Sequence, residues 1–156
     1  MRIVLSHLSL NFLGGEERLC LSSIGALKKY GHHVTLFTVE RTNWKIVQRV
    51  FGNVTRPDEE IFTTSLSIHD NFSKPFIPVF SYIDYLKKLI ELLGSKKYDV
   101  IINTYGDVFT SIADISYIHF PIKATLDYYQ IPAFTSPIKW QAYSQTYKIL
   151  SPLIDN

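Results

Sequence analysis

The chain has 156 residues, of which 46% are hydrophobic and 19% charged, and its formal net charge is +2. This length fits one domain, and such a composition excludes a disordered chain. No block of five or six basic residues occurs, which argues against nucleic acid as a partner, and no apolar run reaches the roughly 18–20 residues that cross a bilayer. The one cysteine, Cys20, cannot form an internal disulfide and fits a reducing, cytoplasmic compartment.

The first forty residues predict a strand, a helix and a second strand. Arg2–Ser6 is a short β-rich run, and residues 16–30 carry apolar side chains at the three- and four-residue spacing of a helix face. Gly31 is placed to end this helix in the left-handed conformation. A strand at residues 34–39 follows. This order predicts two parallel strands joined by a right-handed crossover.

The rest of the chain continues the alternation of helices and strands. The predicted elements are a helix at 44–51, a strand at 60–66, a loop at 70–78, a helix at 79–93, strands at 99–103 and 115–119, and a helical tail at 137–150. The pattern predicts an α/β fold, with a doubly wound, mainly parallel sheet and helices on both of its faces. We expect residues 1–156 to form a single domain.

Three polar segments follow predicted strands. They are the diglycine Gly14–Gly15, residues 104–107 and residues 119–121. Ligands of open parallel sheets bind outside the carboxyl ends of the strands, so we expect these segments to gather at one edge of the sheet.

The diglycine has two interpretations. Glycines let the backbone approach a ligand closely and point the free amides of a helix start toward it, as in phosphate sites. However, Glu16 and Glu17 place two negative charges in the same turn, and neither a G-x-G-x-x-G spacing nor a P-loop is present. A tight turn that simply needs glycine is the alternative.

His119 and Asp107 are the side chains most suited to chemistry. His119 ends a predicted strand, so its imidazole would project into or beside the cleft, where it donates a hydrogen bond or moves a proton. A structural histidine is the alternative, and Asp107 equally suits the cap of a helix. The remaining histidines show no metal-ligand spacing with one another or with Cys20, so we expect no metal site.

A second region combines aromatic, basic and proline residues. Residues 72–78 form this loop, and the lysines on or just past the following helix are Lys87, Lys88, Lys96 and Lys97. Such a mixture suits peripheral contact with an anionic membrane or a lipid chain. A solvated helix face beside a packed loop is the alternative.

Two stretches resemble glycosyltransferase family 4. Residues 14–38, GGEERLCLSSIGALKKYGHHVTLFT, are similar to the opening of that family, where a G-G-x-E-R start leads a helix that ends in a G-H-x-V strand. Residues 99–110, DVIINTYGDVFT, and residues 117–121, YIHFP, resemble the D-T-x-G and Y-x-H-x-P runs of mannosyltransferases that extend lipid-linked oligosaccharides on the cytosolic membrane face.

The resemblance implies half of a GT-B architecture, in which two Rossmann-like domains face each other across a cleft. The amino-terminal domain binds a lipid-linked or other glycan acceptor. A carboxy-terminal domain, or a separate partner chain, binds the nucleotide sugar, such as GDP-mannose, and transfer retains the anomeric configuration without a metal or a cofactor bound by this domain. Carried over, His119 is the histidine beside the reacting sugar, and Gly14, Gly15, Glu17 and Arg18 belong to the cleft loop and the helix start. We expect these four residues to bind substrate together with Tyr105, Gly106, Asp107 and Phe120, which lie in the segments that follow predicted strands.

One feature of the family has no counterpart in this sequence. The donor-binding domain of the family carries a Glu-x7-Glu motif, whereas no two glutamates here lie eight positions apart. Sugar transfer needs charge stabilisation of the departing phosphate, so we expect no turnover by this chain alone. Two other hypotheses remain: a non-catalytic binding or scaffold subunit with the same fold, and a small nucleotide-binding module.

Overall fold

A computed structural model describes residues 1–65, 67, 84–85, 87–92, 97–105 and 113–117. Its elements, in chain order, are β1 (Arg2–Ser6), a short 3-10 helix (Leu10–Phe12), α1 (Gly15–Lys29), β2 (His33–Glu40), α2 (Trp44–Phe51), β3 (Glu59–Thr64), β4 (Val100–Asn103) and β5 (Ile115–Ser116). Residues 84–85 and 87–92 are also helical. Within these residues five strands form one sheet in the order β3-β2-β1-β4-β5, and every neighbouring pair is parallel.

Helices cover both faces of this sheet. On one face, α1 and α2 bury Ile24 and Val47 against Leu36 of β2. On the other face, Tyr85 and Leu89 from the helical residues 84–85 and 87–92 pack against the same strands. The central strands are covered on both sides, so every residue of β1 after Arg2 and of β2 after His33 is buried. The prediction of a Rossmann-like, doubly wound α/β fold is therefore confirmed.

The predicted elements agree with the structure to within a few residues wherever it describes them. The predicted helix at 16–30 runs from Gly15 to Lys29, and Gly31 beyond it has the left-handed φ of 78° that was predicted. The predicted strand at 60–66 is Glu59–Thr64, and of the strand predicted at 115–119 the described part is Ile115–Ser116. The loop at 70–78 and the tail helix at 137–150 lie outside the described residues. No helix in the described ranges has the length and hydropathy needed to traverse a bilayer.

Asp58 joins three elements just before β3. One carboxylate oxygen accepts a hydrogen bond from Lys28 Nζ at the end of α1 (2.7 Å), and the other accepts from the backbone N–H of Val34 in β2 (2.8 Å). The hydrogen bond from Lys28 and then that from Val34 hold the pKa of Asp58 below its ordinary value of 3.8. The carboxylate therefore helps to position β3 against the centre of the sheet.

Replacing Asp58 by Ala is expected to lower the free energy of unfolding by about 1 kcal/mol at neutral pH, since the ion pair is partly exposed but the Val34 N–H loses its acceptor. The pKa of Asp58 is lowered on folding, so this contribution is present above its unfolded-state pKa and is lost as the pH falls through the folded-state pKa. Urea unfolding at neutral and acidic pH measures both effects. Lys28→Met, which removes only the ion pair, serves as the control and should cost less; equal stability of Asp58→Ala and the wild type at neutral pH would contradict the assignment.

Candidate functional site

A cleft of about 480 Å³ lies at the carboxyl edge of the sheet. It sits where β1 and β4 are neighbours, and it is there that the strand order reverses, because the chain leaves β1 toward β2 and leaves β4 toward β5. Open α/β sheets bind ligands at this position, and clefts that hold small molecules have volumes of about 300–1,000 Å³. The lining residues are Leu8, Phe12, Gly14, Gly15, Glu16, Glu17 and Tyr105.

The amino terminus of α1 already holds a negative charge. Glu17 is 4% exposed, and its carboxylate oxygen Oε2 accepts a hydrogen bond of 2.6 Å from the backbone N–H of Gly14. This carboxylate occupies the place at the helix start where a phosphate would otherwise bind. The phosphate interpretation of the diglycine therefore has no support in the geometry.

The two glycines serve different purposes. A Cβ atom on Gly14 would lie 2.9 Å from Glu17 Oε2, so glycine makes room for the carboxylate, and any other residue there would displace the end of the Glu17 side chain. The φ of Gly14 is −100°, and the left-handed turn is made by Leu13 instead, with a φ of 60°. A Cβ on Gly15 would meet no atom within 4 Å, so this glycine faces open space in the cleft.

Glu17 also contacts a buried histidine at the end of β1. His7 is fully buried, and its Nδ1 lies 3.0 Å from Thr104 Oγ1, which is itself 3.2 Å from the carbonyl oxygen of Ser6. A carbonyl can only accept, so with the Thr104 hydroxyl donating to it, His7 Nδ1–H donates to that hydroxyl. His7 Nε2 then faces Glu17 Oε1 at 3.5 Å, too far for a good hydrogen bond but close enough for an ion pair when the imidazole is protonated.

These contacts decide the charge of Glu17. Burial raises the pKa of its carboxyl, but the interaction with His7 and the hydrogen bonds from the backbone N–H groups of Glu17 and Gly14 together lower it more. The net pKa lies below the ordinary value of 4.5, so Glu17 is ionised at neutral pH.

Tyr105 also lines the cleft. Its ring meets that of His7 edge to face, with centroids 5.6 Å apart. Burial, followed by the charges of Glu16 and Glu17, raises the pKa of Tyr105 to about 12, so the phenol keeps its proton at neutral pH. Burial also raises the pKa of the nearby Cys20 thiol to about 12, which makes it a packing residue rather than a nucleophile.

The cleft therefore carries negative charge beside apolar walls. Glu16 and Glu17 line it, and none of the described lining residues is basic. Its apolar surfaces come from Leu8 and Phe12, and Tyr105 adds an aromatic wall. The described lining suits a neutral, hydroxyl-bearing group better than a phosphate, because the partly exposed Glu16 carboxylate can accept hydrogen bonds and repels anions, whereas the buried Glu17 carboxylate already binds the Gly14 N–H.

The structure brings together four of the residues predicted for the site. Gly14, Gly15, Glu17 and Tyr105 all line the cleft, although they come from two distant parts of the sequence. Arg18 is exposed on α1 and is not among the lining residues. The other predicted site residues, which lie outside the described residues, are Gly106, Asp107, His119 and Phe120.

Sequence reasoning placed Thr104 in a segment at this edge without a role of its own, and it did not assign His7 to the site. Both follow a buried strand directly, and such a polar residue at the carboxyl end of a central strand is the signal that points to them. The contact between His7 and Glu17 forms only when α1 packs against the sheet, so the sequence alone does not indicate it.

Within the described residues, no group of three or more His, Cys, Asp or Glu side chains is placed to hold a metal ion. Comparisons of the chain with protein-family models, with curated proteins and with solved structures found no match.

Proposed function

We propose that this chain forms the acceptor-side domain of a retaining nucleotide-sugar glycosyltransferase. A donor-binding domain, on the same or another chain, completes the active site. The cleft beside Gly15 holds the neutral sugar part of a lipid-linked or other glycan acceptor, and a mannosyl group from a donor such as GDP-mannose is the group we propose to be transferred. The place of action is the cytoplasm, at the cytoplasmic face of a membrane.

One observation carries the proposal. The Gly14–Gly15 segment and Tyr105, which belong to the two stretches that resemble family 4, meet at the point where the strand order reverses. The charge of the cleft supports the acceptor role in particular, because Glu16 and Glu17 disfavour the diphosphate of a donor and suit uncharged hydroxyl groups. The donor diphosphate then belongs on the second domain.

A non-catalytic binding or scaffold subunit is a second candidate, and the His7–Glu17 contact favours it. Both side chains are buried and interact with each other, as expected if their role is to hold the start of α1 rather than to meet a ligand. Replacing His119 by Ala in the reconstituted pair separates the two functions: unchanged transfer supports the scaffold, and lost transfer supports the enzyme.

The test of the proposed function is transfer of a labelled sugar from a nucleotide sugar to a lipid-linked acceptor, with and without a candidate donor-binding half. We expect turnover only in the presence of both. Gly15→Leu places a side chain in the cleft without a steric clash at Cβ, and it should weaken acceptor binding by about tenfold or more. Gly25→Ala changes a glycine in the same helix beside Thr55, away from the lining residues, and should leave acceptor binding unchanged.

Three results would count against the proposal. Robust turnover by this chain alone would contradict the assignment of acceptor binding and donor binding to two separate domains. Equal acceptor binding by wild type and Gly15→Leu would remove the cleft as the acceptor site. Tight binding of a nucleoside diphosphate without a second domain would support the small nucleotide-binding module instead.

A further inference from the structure

The outer face of α2 has an unusual composition for a surface that meets only water. Val47 is fully buried, whereas Ile46 and Val50, one helical turn apart, are 41% and 52% exposed. Lys45 and Arg49, also one turn apart, are exposed beside them. At 100° per residue these four side chains share one face of the helix, which we call the α2 face.

The α2 face is positively charged. The helix contains two basic residues and no acidic one. Its neighbours add to this charge: Arg41, just before the helix, lies over the ring of the exposed Phe62, and Arg56 lies over the ring of Trp44. Glu60 accepts hydrogen bonds from the Trp44 indole and from the backbone of Thr42, so its carboxylate is turned toward the base of the helix.

The start of α2 is fixed to the wall of the cleft. Asn11 lies in the 3-10 helix next to Phe12, and its side chain accepts a hydrogen bond from the Asn43 N–H (2.8 Å) and donates one to the carbonyl oxygen of Arg41 (3.1 Å). The side chain of Asn43 in turn caps α2. Whatever contacts the first turn of α2 is therefore held close to the cleft.

We infer that the α2 face is a docking surface for an anionic lipid membrane. Basic side chains that flank exposed aliphatic ones on a short helix match the surface of a bilayer, where phosphates lie above the acyl chains. Ile46 and Val50 enter the boundary region, and Lys45 and Arg49 contact the lipid phosphates. This arrangement places the cleft at the membrane surface, within reach of a ligand carried on a lipid. The α2 face is separate from the lysine-bearing helix that the sequence pointed to.

The test is co-sedimentation of the full chain with vesicles of phosphatidylcholine, with and without phosphatidylserine. We expect binding only to the phosphatidylserine vesicles, and weaker binding at high salt. The double variant Lys45→Gln, Arg49→Gln should bind about 25-fold more weakly, roughly fivefold for each basic residue removed. The double variant Ile46→Ser, Val50→Ser should lower binding at high salt as well, where the apolar contact dominates.

The matched control is Lys28→Gln, Lys29→Gln, which removes the same charge from the last turn of α1. It should bind vesicles like the wild type. Equal losses in the two charge variants would show attraction to net charge rather than docking of α2. Binding to neutral vesicles alone, or no binding to either kind of vesicle, would overturn the proposal. Vesicle binding requires no sugar transfer, so its failure and the failure of the proposed function are separate results.

Discussion

Replacing Phe37 by Ala is expected to lower the free energy of unfolding by about 3–5 kcal/mol. Phe37 is fully buried in β2, and its ring stacks on that of Tyr85 with centroids 4.6 Å apart and an interplanar angle of 14°. The substitution would leave a cavity between the sheet and the helix that carries Tyr85, because the hydrogen-bonded neighbouring strands cannot move to fill it. Such a loss is a large share of the roughly 5–15 kcal/mol that stabilises a domain, and urea unfolding measures it.

Phe62→Ala is the matched control for this variant. Phe62 lies on the adjacent edge strand β3 and is 38% exposed, so its removal should cost about 1 kcal/mol or less. Similar losses from the two variants would mean that the Phe37–Tyr85 stack is not part of the core. The comparison thus tests whether the second face of the sheet is covered as the structure describes.

Replacing Glu17 by Ala is expected to cost about 2 kcal/mol of stability at neutral pH. The variant removes the acceptor of the Gly14 N–H and leaves the buried His7 imidazole without its charged neighbour. Hydrogen bonds to charged groups contribute about 1.5–3 kcal/mol, and capping residues about 0.5–2 kcal/mol. Urea unfolding of wild type and variant over a range of pH provides the measurement.

The pH dependence of this loss has a defined sign. The pKa of Glu17 is lower in the folded state than its ordinary value of 4.5, so the carboxylate stabilises the fold above the unfolded-state pKa. As the pH falls through the folded-state pKa, the carboxylate is protonated in both states and the contribution disappears. The difference between wild type and Glu17→Ala should therefore be full at neutral pH and small in strong acid.

Glu16→Ala controls for the charge at the helix start. It removes the same charge one residue earlier in the first turn of α1, so it should cost only the dipole interaction, about 0.3–1 kcal/mol. A loss as large as that of Glu17→Ala, or a Glu17→Ala difference that grows in acid, would contradict the assigned contacts.

Sequence patterns predicted the elements well because each pattern reflects a local cause. The apolar spacing of α1, the glycine at its end and the apolar runs of β1 and β2 depend on neighbours a few residues apart. The parallel order of the first two strands followed from the strand–helix–strand sequence, since such crossovers are right-handed. The ends of the strand at Glu59–Thr64 were less accurate, because strand ends depend on pairing with other strands.

The candidate site was only partly predictable. Gly14, Gly15 and Tyr105 could be named from their positions after strands and Glu17 from the resemblance to glycosyltransferase family 4, but the reason for the diglycine could not. The sequence suggested either a phosphate site or a tight turn, whereas the structure shows Gly14 making room for the carboxylate that caps α1. That reason depends on the rotamer of a side chain three residues away.

The sequence by itself determined the α/β class, the position of α1 and the edge of the sheet at which the Gly14–Gly15 segment and Tyr105 meet, because these follow from periodicity and from the chirality of the crossover. Only the tertiary structure decided that His7 meets Glu17 and Thr104, that Leu8, Phe12 and Tyr105 line the cleft beside the two glutamates, and that Ile46 and Val50 face outward from α2. Those features arise between residues far apart in the chain, or from which side of a short helix the sheet covers. No local sequence pattern predicts these contacts or the exposed side of the helix, because packing alone brings such groups together or leaves them exposed.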